Sequence, residues 1–341
     1  MMRNLPPLAG TVQRNCDISD ARHAGDYGLC TFLLKMREYY RWENELPFSC
    51  ALPRDELGKW LRSREQHWDG IENEAYAPLP LAPGDLEPFD AAAANRELLP
   101  QGRVYSAGYG RFGKPVFFLG ELLRAEQRRG FTILISSCEY ARELAAPPAM
   151  LQGRTIFVRQ ESVRRYLWEK VEGWLSRRQD NAMARALAGY EFAAGADAAL
   201  QRMAEGEMET MILHELGEAM AGDLLGEAWR EMVASAARSR GEPVLRAVRD
   251  LLADCLSTLP ALLARGDPRA LHFYFATYDA PRSRLFPQAL EAYEEFSRSG
   301  DPRRLRQAAE SGKERWLATA RGLLSLAPAD REAAVLALSG D

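Results

Sequence analysis

The segment Glu207-Met-Glu-Thr-Met-Ile-Leu-His214-Glu215-Leu-Gly-Glu218 carries acid, imidazole and acid at helical spacing. At about 100° per residue, Glu207, His214 and Glu218 fall within roughly 40° of one another, on one stripe with Met211 and Ala221. Side chains one turn apart converge, so His214 and Glu218 can grip a single metal ion. Glu215 or Glu207 is then the candidate general base toward a metal-bound water or substrate. The plainer alternative is a half-exposed helix face on which His214 simply bonds Glu218.

Later residues offer further ligands. Asp254 lies in LLADCLSTLPALL, among apolar neighbours, where an unpaired buried carboxylate is costly and must be satisfied. His272, in LHFYFATYD, reads on its own as a hydrogen-bonded core histidine. Together His214, Glu218, Asp254 and His272 make a two-histidine, two-carboxylate shell, or a three-ligand shell with an open position, suited to zinc or iron. Asp20-Ala-Arg-His23 adds an acid-x-x-His pair, the spacing that di-metal helical bundles use. Against it, Asp17 and Asp20 are well placed to cap a helix start, and His23 to pair with one of them. The chain has 4 histidines, so a two-iron site with paired Glu-x-x-His is not spelled out, and His67 reads as surface.

Other motifs fail their own context. His214-Glu215-Leu216-Gly217-Glu218 resembles the zinc-peptidase pattern HExxH, but Glu218 replaces the second imidazole and no third ligand lies nearby, so an HExxE-type metallopeptidase is a minor alternative. Gly108-Tyr-Gly110-Arg-Phe-Gly113 matches GxGxxG, yet a strand-like run rather than a helix follows it, which reads as a hairpin turn. Arg164, Arg165, Arg177 and Arg178 around Trp168 and Trp174 could contact phosphates, although a solvated arginine face is the simpler account.

The elements that must position these residues are mostly helices. The first is expected from Asp17 or Ser19 to about Trp42, burying Leu29, Phe32, Leu33, Met36 and Tyr40. A shorter helix spans roughly 54 to 67, with Leu57, Trp60 and Leu61 inward. The four prolines of residues 76 to 90 predict an extended connector. Between about 102 and 159, VYSAGYG, PVFFLG, FTILIS and TIFVR alternate with glycine turns and predict strands. Helical periodicity then returns for seven or eight further helices. The expected fold is mostly α with a small antiparallel β-sheet segment, an α+β protein of helical-bundle architecture. Its expected parts are residues 1–100 (helices and connector), 101–160 (β-rich) and 161–341 (helical), with one compact unit as the alternative.

Composition narrows the function classes. At 341 residues and 47% hydrophobic the chain can bury a large core, and a net charge of −4 disfavours a dedicated nucleic-acid binder. No apolar run is long enough for a membrane span, and MMRNLPPLAG lacks a secretory apolar core, so a cytoplasmic protein is expected. The 5 scattered cysteines form no CxxC pair and predict free thiols. Partners are left unspecified, with a homo-oligomer allowed.

The phrases CDISDARHAGDYGLCTFLLKMREYYRWE, GRFGKPVFFLGELL, GRTIFVR, LHELGEAMAG and LADCLSTLPALL resemble, along nearly the whole chain, a family of uncharacterised bacterial proteins of similar size. The resemblance implies a bacterial cytosolic setting and no mechanism. From the residues, the leading expectation is a metal-binding helical protein, in its stronger form a metal-dependent enzyme. In this reading His214, Glu218 and His272 ligate the ion and Asp254 completes or orients the shell. The rivals are a non-catalytic interaction protein with buried polar networks and a small-molecule sensor.

Overall fold

A computed structural model describes residues 7–82, 84–110, 113–192 and 195–339. The chain forms two compact units, Met1–Glu169 with Gly195–Gln201, and Lys170–Ala194 with Arg202–Asp341.

In the first unit, helices α1 (Pro7–His23), α2 (Leu29–Glu43), α3 (Arg54–Ile71) and α4 (Ala91–Leu98) accompany a five-stranded sheet. Its strands are β1 (Arg103–Tyr109), β2 (Pro115–Arg128), β3 (Phe131–Arg142), β4 (Ala149–Gln152) and β5 (Thr155–Arg159), in the order β1-β2-β3-β5-β4. Strand alternation divides the side chains between two faces. Tyr105, Ala107, Phe117 and Leu119 pack with Leu8, Val12 and Cys16 of α1, while Val104, Phe118, Leu134 and Phe157 form a separate cluster. Each such aliphatic or aromatic side chain contributes about 1.5–3 kcal/mol on burial. Ile18, at the other end of α1, packs with Met36, Tyr39, Trp68 and Ile71 of α2 and α3.

Three expectations are corrected here. First, the sheet is mixed, because β3 and β5 pair in parallel. The chain leaves β3 at Arg142, comes back along the outer strand β4, and turns at Gly153 (φ 57°) so that β5 slots between β4 and β3. Second, the first helix is two, parted by a 3-10 turn at Ala24–Asp26 and by Gly28. Asp17 and Asp20 therefore sit buried within α1 rather than capping a helix start. Third, the break reorients α2, so that Met36, Tyr39 and Tyr40 are buried but Leu29 and Leu33 are exposed. The GxGxxG stretch joins β1 to β2 as a hairpin, with Gly110 N–H donating to Lys114 O at 2.7 Å; Arg111 and Phe112 lie outside the described residues.

Helix α5 (Gln160–Leu175) follows the sheet, and the chain passes into the second unit within it. The second unit then has α6 (Ala182–Ala188), most of α7 (Ala196–Ser235), α8 (Glu242–Ala253), α9 (Leu259–Arg265), α10 (Pro268–Ala276), α11 (Ala280–Leu285), α12 (Pro287–Ser299), α13 (Arg303–Ser325) and α14 (Pro328–Ser339). Helix α7 kinks at Gly226, whose φ of 72° leaves the helical region. The core sets Val248, Leu251 and Leu252 of α8 against Leu305, Ala309 and Trp316 of α13 and Tyr293 of α12. Helices α8 and α9 are joined by a π-turn, Asp254–Thr258, in which Leu259 N–H donates to Asp254 O. Pro260 follows at once, and its missing N–H cannot complete an ordinary α-turn there.

The chain is thus an α+β protein, mostly helical. Among the described residues no helix is long and apolar enough to cross a membrane, and the cysteines are free thiols.

Candidate functional site

Two elements of the second unit nearly touch where the polar stripe of α7 meets the end of α8. A Cβ on Gly217 would lie 2.4 Å from the Ala253 carbonyl oxygen, so only glycine permits this approach. It brings His214, one turn before Gly217 on the neighbouring face, against Asp254, the first residue of the π-turn. His214 Nδ1 lies 2.8 Å from Asp254 Oδ1, and on its other side His214 Nε2 lies 3.3 Å from Glu218 Oε1. Asp254 is fully buried. Its second oxygen accepts from Tyr274 Oη at 2.8 Å and Arg282 Nη1 at 3.0 Å. Glu218 Oε1 also accepts from Arg249 Nη2 at 2.8 Å, and the same nitrogen lies 3.0 Å from Asp250 Oδ1. One ligand atom each of His214, Glu218 and Asp250 lie within 4.8 Å of one another.

The charges are strongly perturbed. Burial works against an ionised Asp254, but His214 and Arg282 outweigh it and hold the carboxyl at about 2. Burial likewise opposes a charged His214, yet Asp254 and Glu218 push the imidazole well above its ordinary value. Glu218 is held low against burial by Arg249 and His214. Glu215 and Asp250 shift upward, first through burial and also through the charge of Glu218. The cluster therefore sets Glu215, Glu218, Asp250 and Asp254 against His214, Arg249 and Arg282.

Residues 7–159 match the N-terminal domain, and residues 164–339 the C-terminal domain, of a family of unknown function, DUF6866. The chain belongs to the DUF6866 family. No curated protein and no solved structure matches it.

This DUF6866 member brings together some of the residues singled out from its sequence and keeps others apart. His214, Glu218 and Asp254 meet, with Glu215 beside them. His272 is engaged elsewhere, with Nδ1 3.1 Å from Tyr293 Oη and its ring packed on Tyr293 and Phe296, and it does not belong to the group whose ligand atoms converge. Glu207 is buried and accepts from Tyr190 Oη at 2.8 Å and Thr210 Oγ1 at 2.9 Å, and burial raises its carboxyl to about 7. Asp20 and His23 belong to the first unit. There Asp20 pairs with Lys114 and accepts from Leu144 N–H at 2.7 Å, while His23 Nδ1 lies 2.9 Å from Asp26. His67 is about half exposed, 3.6 Å from Asp17.

Sequence reading missed Asp250, Arg249, Arg282 and Tyr274. Asp250 carried a signal, since it precedes Asp254 by one helical turn in DLLAD. The two arginines and the tyrosine carried none, because nothing in their local spacing distinguishes them from other residues of their types.

Proposed function

We propose that the second unit binds a divalent transition-metal ion, zinc or iron, through His214 Nε2, Glu218 and Asp250. The observation that carries this is the Asp254–His214 contact. A metal-binding histidine usually donates its other ring N–H to a carboxylate, which fixes tautomer and orientation. Asp254 is placed for that, held in turn by Tyr274 and Arg282. One imidazole and two carboxylates suit zinc or iron and leave coordination positions open. In the catalytic form of this reading, Glu215 is the general base beside the open positions; its raised proton affinity suits exchange near neutral pH. Neither His272 nor the Asp20–His23 pair has a role at this ion.

A second reading rests on Arg249, which already neutralises Glu218 and Asp250. On it, the network is a buried ionic pin between α7, α8 and α11, in a non-catalytic helical protein. Elemental analysis of purified protein, with isothermal titration of zinc and ferrous iron, separates the two. Expected are one ion per chain, and loss of at least tenfold in affinity in His214→Ala and Asp250→Asn. His272→Ala should bind as the original does. Absence of stoichiometric metal, or binding indifferent to His214→Ala, leaves the pin.

A further inference from the structure

The first unit contains a cavity of about 460 Å³, within the range of small-molecule sites. Its lining includes Arg142, Arg164 and Arg165 together with Trp42, Phe48 and Leu200. Arg142, the last residue of β3, is only 2% exposed. Its nearest carboxylate contact is Glu139 Oε2, 3.7 Å from Nη1, which is too far for a hydrogen bond. Glu139 is already engaged, by Arg159 at 2.8 Å and by Ser162 N–H and Oγ at 3.0 and 2.6 Å. Among the described residues, Arg142 Nε and Nη2 have no hydrogen-bond acceptor. Both nitrogens are closed off from solvent, so the Arg142 guanidinium lines the cavity with donors that no protein group satisfies, and a guanidinium is well matched to a carboxylate or phosphate.

Two neighbouring arginines are engaged at their terminal nitrogens, Arg164 by Gln201 and Arg165 by Glu169 and the Ala145 and Ala146 carbonyls. The Nε groups of Arg164 and Arg165 are also buried without acceptors. The lining also holds four acids, Glu38, Glu45, Glu161 and Asp197, of which Glu38 pairs with Arg37 and Arg41, Glu161 accepts from Glu139 N–H, and Asp197 accepts from Phe48 N–H. Burying a guanidinium whose donors are unmet is costly, and an anion that accepts from it removes the cost.

We propose that this cavity binds a small organic oxyanion, a carboxylate or phosphate, whose charged group is held by Arg142 with Arg164 and Arg165, and whose apolar part lies on Trp42, Phe48 and Leu200. The rings suit a flat hydrocarbon portion, and the Arg142 guanidinium stands 4.9 Å from the Trp42 ring centroid. The site lies wholly in the first unit and is independent of the proposed metal centre.

The test is thermal unfolding and calorimetric titration of the full chain with phenyl phosphate, phenylacetate and inorganic phosphate, at constant ionic strength with chloride as reference. A saturable rise in Tm of roughly 5 °C is expected with an organic anion and not with chloride. Phenyl phosphate acting alone assigns a phosphate group, and phenylacetate acting alone a carboxylate. Arg142→Met should abolish the rise. Arg164→Glu, at a side chain about one-third exposed, should weaken binding at least tenfold and decides the matter if Arg142→Met does not fold. No rise beyond chloride with any anion, or a rise that survives Arg164→Glu, overturns the proposal.

Discussion

In the first unit Arg159 takes both Glu139 and Glu143, and Arg142 beside it is left with donors that nothing accepts from. In the second unit Asp254 gathers His214, Tyr274 and Arg282, and the groups under electrostatic pressure are acids, Glu215 and Asp250. One cluster thus leaves guanidinium donors unmet, and the other crowds carboxylates. An ionisable group taken out of water must be paired, neutralised or offered to a ligand. That difference is the ground on which an anion is proposed for the first unit and a cation for the second.

The largest effect should come from removing the hub of the acidic cluster. Asp254→Ala leaves His214, Tyr274 and Arg282 facing a void and should cost about 3–5 kcal/mol in urea unfolding. A loss below about 1 kcal/mol would show that Asp254 is not what holds this cluster, and the contrast with Arg159 would fail.

Next is the close approach that builds the cluster. Gly217→Ala drives a methyl group into the Ala253 carbonyl, and should cost about 1–3 kcal/mol and weaken the proposed metal binding along with it. Gly222→Ala in the same helix meets nothing within 4 Å and should be neutral or stabilising by up to about 1 kcal/mol. Equal losses at both positions would mean that helix α7 tolerates neither for reasons unconnected with Ala253.

Two buried carboxylates, one in each unit, should also differ in how pH acts on them. Glu207, raised to about 7, contributes stability that is complete below its unfolded value near 4.5 and is lost as pH rises through 7. Glu139, held at about 2 by Arg159 and Arg142 in spite of burial, contributes stability that is complete above about 4.5 and is lost as pH falls through 2. Glu207→Gln should therefore gain about 1–2 kcal/mol over the original at pH 8 and nothing at pH 4, read by chemical unfolding at each pH. A gain of the same size at both pH values would place its origin in packing instead. Smallest of all, Glu227→Ala, which breaks an exposed pair with Arg230, should change stability by less than about 0.5 kcal/mol.

Much of the fold was legible because its elements announce themselves locally. Alternation in VYSAGYG, PVFFLG, FTILIS and TIFVR marked four of the five strands, whereas β4, the four residues AMLQ, has too little β-branched character to stand out. Helical spacing put Glu207, His214 and Glu218 on one stripe; His214 and Glu218 do meet, while Glu207 is taken by Tyr190 and Thr210. The same spacing misled at Leu29 and Leu33, since a periodic apolar stripe says that a helix has a face and not which part of it is covered. Arg165 looked like part of a solvated surface and is instead buried in the cavity wall, its guanidinium bonded to Glu169 and to the Ala145 and Ala146 carbonyls.

Sequence alone determined the short-range relations: which residues share a helix turn, which alternate across a strand, where glycine and proline interrupt. Those relations depend on backbone geometry over a few residues. Tertiary structure decided the rest, because His214 meets Asp254 across 40 positions and Asp254 meets Arg282 across 28. Such meetings follow from how closely whole helices pack, and that distance was set by a missing side chain at Gly217 and a widened turn before Pro260.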